Sequence, residues 1–342
     1  MKTKILKTLL IPSLGISSIG VIAFTTTGCN SSKYLKIYAN VDDSVVTFYK
    51  GAEEALTLPN LEYSTNKGKT WELAHEMQKW TLNKGETLYL KGNNPNGWSM
   101  YTGDSDNPNY TISGNISLKG GISISGSILS LIDNGGENKN ITNIPDHCFS
   151  SLFKSIKDSE SSDSASSDCS DIVSINGIFD KINSSRYSIG IQSFQDIFGN
   201  SNLSGGLNLN KLLPTKCKSY GKGAFANMFQ HTNIDKVIMP NIPANVLTLK
   251  AKVSEESEEE DFVSYALYDK MFENCQNLFE VDLNADYSKI EDFKFLSGVF
   301  SGWLDGAGTN KKAEDGKCVL RLKYKHQSQD EIFGLPDNWE II

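Results

Sequence analysis

The pattern of apolar and polar positions divides the chain at about residue 132. From Tyr34 to Ile132 apolar residues alternate with polar ones or run in short blocks: YLKIYANV, SVVTFYK, LEYST, TLYLKG and ISISGSILSLI. A period of two puts one side of the chain in a core and the other in water, so each block predicts a strand. The turn formers Asn66-Lys67-Gly68 and Asn83-Lys84-Gly85 separate them, and strands at this spacing predict a small β-rich, sandwich-like domain over 34–132. ELAHEMQKW, residues 72–80, carries a hint of a helical turn, and the Gly- and Asn-rich stretch 92–115 predicts long surface loops.

Beyond residue 140 the pattern changes to a series. An aromatic or apolar residue, two spacers, an apolar residue and Phe recur as Phe149-Ser-Ser-Leu152-Phe153, Phe194-Gln-Asp-Ile197-Phe198, Phe225-Ala-Asn-Met228-Phe229, Tyr268-Asp-Lys-Met271-Phe272 and Leu296-Ser-Gly-Val299-Phe300. The final Phe residues fall 45, 31, 43 and 28 apart. The two long intervals hold a serine-rich insertion at about 157–171 and an acidic one at about 252–264, and without them the period is that of a stacked-repeat protein. Each signature has a sequel, clearest in Ile234-x-x-Val237-x-Met239 and Leu278-x-x-Val281-x-Leu283. That is the L-x-x-L-x-L core of a leucine-rich repeat, in which a helical turn packs its Phe and Met against a short strand, and stacking makes a parallel sheet. The fold class that follows is α+β: a small β-rich N-terminal domain, then a short irregular leucine-rich-repeat solenoid over 133–342. Met271, Phe272, Cys275, Leu278, Val281 and Leu283 are expected inside, and Glu280 and Asp282 between them are expected to face a partner.

The series resembles the BspA-type leucine-rich repeats of bacterial surface proteins, whose units read like Y-x-x-M-F-x-G-C-x-x-L followed by a strand and L-P-A-x-x-L. Tyr268, Met271, Phe272, Asn274, Cys275 and Leu278 match the first part, with Asn274 in place of Gly, and Ile242-Pro243-Ala244-Asn245-Val246-Leu247 matches the last. The tail GLPDNWEII from Gly334 is similar to that family's closing segment and is expected to cap the array. The resemblance implies adhesion to extracellular or host proteins. A second, local resemblance is STNKGKTW, Ser64 to Trp71, to the Asp-box hairpin of sialidases, with Asn66 where Asp is usual. Its physical content is a tight turn: the Asn66 side chain bonds turn amides, Gly68 takes a positive φ and Trp71 packs beneath. Sialidases grip their substrate's carboxylate with three arginines, and this chain has only Arg186 and Arg321.

Charge and motifs narrow the function. The 342 residues carry a formal net charge of -8, which argues against a nucleic-acid partner. At the N-terminus MKTKILKTLLIPSLGISSIGVIAFTTTGC joins lysines, an apolar stretch and small residues before Cys29. This resembles a bacterial lipobox and implies a signal peptide over 1–28, a lipidated tether over 29–33 beginning at Cys29, and a membrane anchor on the extracellular side. The five remaining cysteines are scattered without a CxxC pair, and His75, His147, His231 and His326 lack metal spacing. Neither an enzyme nor a cofactor site is expected. Asp104-x-Asp106-Asn107 lacks the rest of a calcium loop, and the run from Glu255 to Asp261 reads as a solvated acidic loop. Trp98 and Tyr101 raise the possibility of an exposed pair that stacks on a sugar, against the simpler role of hairpin aromatics. Two readings remain: an adhesive surface lipoprotein, and a surface receptor for a glycan or solute, which would need a deep pocket.

Overall fold

The computed structural model describes residues 33–51, 55–102, 109–154, 171–241, 266–284, 298–312, 316–323 and 333–342. The leader with Cys29, nearly all of both insertions, Asp104 to Asn107, Ile242 to Leu247, Leu296 and His326 lie outside them. The fold is β-rich, with several sheets around one continuous apolar core.

In the N-terminal portion the strand Leu35–Ala39 lies between Ile122–Gly126 and Thr87–Lys91, antiparallel to both, and Glu62–Ser64 and Glu72–Leu73 extend that sheet. Ser44–Tyr49 pairs with Gln78–Leu82 and Asn115–Lys119 in a second sheet. Leu35, Ile37 and Ala39 of the first and Val46 and Phe48 of the second are fully buried, as their alternation predicts. Two expectations fail here. Residues 72–80 are not helical but a strand, turns and another strand, with Met77 at φ 60 and exposed. The stretch 92–115 is not all loop, since Met100–Thr102 pairs with Asn109–Ile112, and Asn115 opens the next strand. The Asn66 turn forms as expected. Its Oδ1 accepts from the amides of Lys69 (3.1 Å) and Thr70 (3.0 Å), Gly68 has φ +80, and Trp71 lies 4.7 Å from the Tyr34 ring.

The sheet does not stop at residue 132. Ile172–Asn176 joins its edge, parallel to Ile122–Gly126, with a register shift that leaves Val173 exposed. Beyond it, Ser204–Asn208, Asn233–Met239, Glu280–Leu283, Cys318–Leu322 and Trp339–Ile341 form a five-stranded parallel sheet in chain order. A short parallel ladder of Asn143–Ile144, Ser188–Ile189 and Ser219–Tyr220 runs along another side.

Between these ladders lie the aromatic signatures, and they are not helical turns. Leu209–Leu212 is the one α-helix delimited among the described residues, and Ile128–Leu131 is a 3-10 turn. Instead alternate amides split their bonds. Ser150, Leu152 and Lys154 donate three residues back, to His147, Phe149 and Ser151, whereas Phe149, Ser151 and Phe153 donate across to Ser193, Gln195 and Ile197. The next levels repeat the scheme through Phe225, Asn227 and Phe229 to Leu267, Asp269 and Met271. An α-helix would use all of these amides internally and leave none for a neighbour. Every fourth residue has positive φ, as in Ser151, Asp196, Asn227, Lys270 and Gly302, the value required at the third position of a type II turn.

This stacking sets the rings into two columns. Phe149, Phe194, Phe225, Tyr268 and Phe300 follow one another at centroid distances of 5.7, 5.9, 6.1 and 5.7 Å. Phe153, Phe198, Phe229, Phe272 and Trp303 follow at 5.9, 5.6, 5.9 and 6.5 Å. The columns correct the fifth signature, which runs Phe300-Ser-Gly-Trp303-Leu304 and not Leu296 to Phe300. The Tyr268 amide donates to Val299, just as the Phe225 amide donates to Leu267, so Phe300 is the counterpart of Tyr268.

Two glycines let the levels approach. A Cβ on Gly221 would lie 2.3 Å from the Ile191 nitrogen and 2.4 Å from the Gly190 carbonyl carbon, and one on Gly190 would meet the Asp146 nitrogen at 2.6 Å. Because those atoms are backbone, they cannot turn away. We expect Gly221→Ala to cost about 1–3 kcal/mol in chemical denaturation; an unchanged midpoint would show that the levels can part freely.

Candidate functional site

A strand on one face of a sheet sends alternate side chains inward and outward. In the five-stranded sheet Val237, Met239, Val281, Leu283, Leu320 and Leu322 point inward and are buried. The outward rows are set by register. Gly206, Lys236, Glu280, Val319 and Glu340 form one row, and Asn208, Ile238, Asp282 and Arg321 form the other. This open face brings together the two residues expected at a partner surface, Glu280 and Asp282.

They are not free carboxylates awaiting a cation. Lys236 Nζ lies 2.5 Å from Glu280 Oε1 and 4.0 Å from Asp282 Oδ2, while Arg321 Nε lies 3.2 Å from Glu280 Oε1 and 3.8 Å from Asp282 Oδ1. The hydrogen bond from Lys236 is the main reason the Glu280 carboxyl is held below the usual range, with Arg321 adding to it. Lys236 is raised in turn by the same bond. The four charges cancel. Around them stand Ile238 and Val319 on the face and Ile342 beside Arg321 at 43% exposure, whereas Phe279, 41% exposed, continues the register of Val281 on the other side of the strand. Lys236 and Arg321 were not foreseen, although the alternation Cys318-Val-Leu-Arg-Leu322 would have marked Arg321 as outward.

The remaining candidates fall elsewhere. Trp98 is fully buried, packs 5.9 Å from Phe48 and donates its indole N–H to the Gly114 carbonyl at 2.9 Å, so it cannot stack on a sugar. Cys148, Cys217, Cys275 and Cys318 are buried. Burial pushes the Cys148 thiol up to about 12 and that of Cys275 to about 11, whereas a nucleophilic thiol needs its pKa lowered. His147 is buried, and desolvation keeps its imidazole below the usual range despite the nearby Asp146. Among the described residues no group of three or more His, Cys, Asp and Glu could hold a metal ion. Where strand Ile172–Asn176 faces strand Ser204–Asn208, a cleft walled by Val173, Ile175, Leu203, Leu207 and Ile234 encloses about 10 Å³, room for one water molecule. Comparison with protein-family models, with curated proteins and with solved structures gave no match.

Proposed function

We propose that the chain is a lipid-anchored cell-surface protein, that residues 133–342 are BspA-like leucine-rich repeats, and that the outward face of the parallel sheet binds an extracellular or host protein. One observation carries the reading of the surface. An open, electrically balanced face mixes Ile238, Val319 and Ile342 with an ordered quartet of charges. Protein interfaces have this composition: apolar contacts supply burial, and paired charges fix register without an unpaired ion to desolvate. The repeat reading is supported by the parallel strands that follow the turn ladders and by the two aromatic columns. The anchor rests on the Cys29 sequence alone. The alternative, a glycan or solute receptor with a deep pocket, gains nothing from a cleft that fits one water.

The surface reading is tested by binding of the whole chain to immobilised extracellular-matrix proteins and to cultured cells. Arg321→Glu inverts one charge of the quartet and Ile342→Asp removes the apolar edge, and each is expected to weaken binding by more than tenfold with the melting temperature little changed. Binding that survives both would move the interface elsewhere. For the anchor, a labelled fatty acid is expected on the wild type and not on Cys29→Ala; equal labelling of the two would remove it.

A further inference from the structure

The outer face of the N-terminal sheet has a chemistry of its own. Its inward positions are the apolar residues already described, and register places the outward ones in two rows. Asn176, Ser125, Lys36, Tyr89 and Ser64 form the first, and Ser174, Ser123, Tyr38 and Thr87 the second. In a chain with net charge -8 these two rows carry one charged side chain, Lys36, which lies 5.6 Å over the Tyr89 ring, and the next outward positions toward the edge, Lys91 and Glu62, pair with each other at 3.3 Å. At neighbouring spacings of about 4.8 Å, the four strands that carry accessible side chains make a platform roughly 14 Å across, bounded by the Asn66 turn that holds Ser64 at 2% exposure.

The polar groups are linked and pre-set. The Ser123 hydroxyl oxygen accepts from Asn40 Nδ2 at 2.9 Å and from the Ser174 hydroxyl at 2.8 Å, and Ser174 accepts from Asn176 Nδ2 at 3.4 Å. With two bonds accepted, the Ser123 oxygen has its own proton left to donate, and the Asn40 and Asn176 side chains each keep a carbonyl acceptor. Beside this chain Tyr38 is 38% exposed, and among the described residues no ring or cation is recorded over it. At the rim Val41 and Val173 are exposed and flank Gly121, where a Cβ would meet Val41 at 3.5 Å and Val173 at 3.8 Å.

We infer that this face binds a neutral polysaccharide. A sugar ring has an apolar C–H face, which suits an exposed aromatic ring, and a rim of hydroxyls, which suits amide and hydroxyl groups held in fixed directions. The match extends to charge: an uncharged ligand meets no unpaired carboxylate, since Glu62 is held by Lys91, and no bare cation, since Lys36 lies over the Tyr89 ring. Anionic glycans would find Lys36 over a ring and Lys91 already neutralised by Glu62, and an extended protein segment would find a face whose backbone groups are already paired in the sheet. The site lies on a different sheet from the proposed protein-binding face and does not depend on it.

The test is affinity electrophoresis of the whole chain in gels containing dextran, galactomannan or hydroxyethylcellulose, with hyaluronan as the anionic comparison. At least one neutral polymer is expected to retard the wild type. Tyr38→Ala should weaken that retardation on the order of tenfold, as loss of a stacking ring does, while Tyr38→Phe should keep most of it. Ser123→Ala should weaken it several-fold, and Arg321→Glu should leave it unchanged, which separates this site from the parallel sheet. Migration unaffected by all three neutral polymers would overturn the inference. So would equal retardation of wild type and Tyr38→Ala, or retardation by hyaluronan alone.

Discussion

Replacing Phe229 with alanine is expected to lower the stability by about 3–5 kcal/mol in urea or guanidinium unfolding. The ring is fully buried and used on both sides, 5.6 Å from Phe198 with planes 17° apart and 5.9 Å from Phe272 with planes 8° apart. Truncation therefore removes a large apolar volume and two stacked pairs, each worth about 0.5–1.5 kcal/mol beyond burial. The lateral amide bond from Phe229 to Met271 is backbone and remains, so the levels stay paired at one edge while a hole opens between them. Phe229→Leu keeps most of the volume and should cost clearly less. On the proposed repeat reading a defect at the middle also weakens cooperativity, so a lower denaturant slope should accompany Phe229→Ala. A loss below about 1 kcal/mol would mean that the column is not a main support of the fold.

The parts of this architecture that were legible in the sequence are those decided by one-sided burial. Leu35–Ala39 and Ser44–Tyr49 could be read because every second residue is apolar, and Glu280 and Asp282 could be placed outward because Val281 and Leu283 must point in. The aromatic series was visible for the same reason. What failed depended on partners distant in sequence. Ile172–Asn176 carries no mark of which sheet it joins, and only pairing with Ile122–Gly126 decides it. In the fifth signature Val299-Phe300 and Trp303-Leu304 both fit the apolar pattern four residues apart, and the cross-level bond from Tyr268 selects the second. The helical reading of the turns overlooked a local cue. Asp196 and Asn200, Gly223 and Asn227, and Gly302 and Gly306 stand four residues apart, and these are the residue types that tolerate positive φ. The charge quartet was hidden in a similar way, because Lys236 and Arg321 meet Glu280 through register and not through sequence proximity.

The other large effect concerns a buried charge. Lys154→Met is expected to destabilise the protein by about 2–3 kcal/mol near neutral pH, below the figure for a fully buried pair because Lys154 is 30% exposed, since its removal leaves the buried Asp196 carboxylate uncompensated. Asp196 is only 5% exposed, and its carboxylate receives the Lys154 ammonium on one oxygen and the Gln230 amide, at 2.8 Å, on the other. Burial already raises the Asp196 pKa above the usual range, while Lys154, first through its charge and then through its hydrogen bond, pulls it back. Without Lys154 the folded-state pKa must rise further. A carboxyl whose pKa is higher in the folded than in the unfolded state binds more protons when folded, so its folded state gains as pH falls and loses as pH rises through the interval between the two values. The deficit of Lys154→Met relative to wild type should therefore be largest at neutral pH and shrink as acid protonates Asp196. Asp196→Asn in the Lys154→Met background replaces the charge with a neutral amide and should recover part of the loss at pH 7. A deficit that stays constant from neutral to acid pH would show that Lys154 acts through its packed methylenes and not through its charge, and the pair would then be incidental to this turn of the ladder.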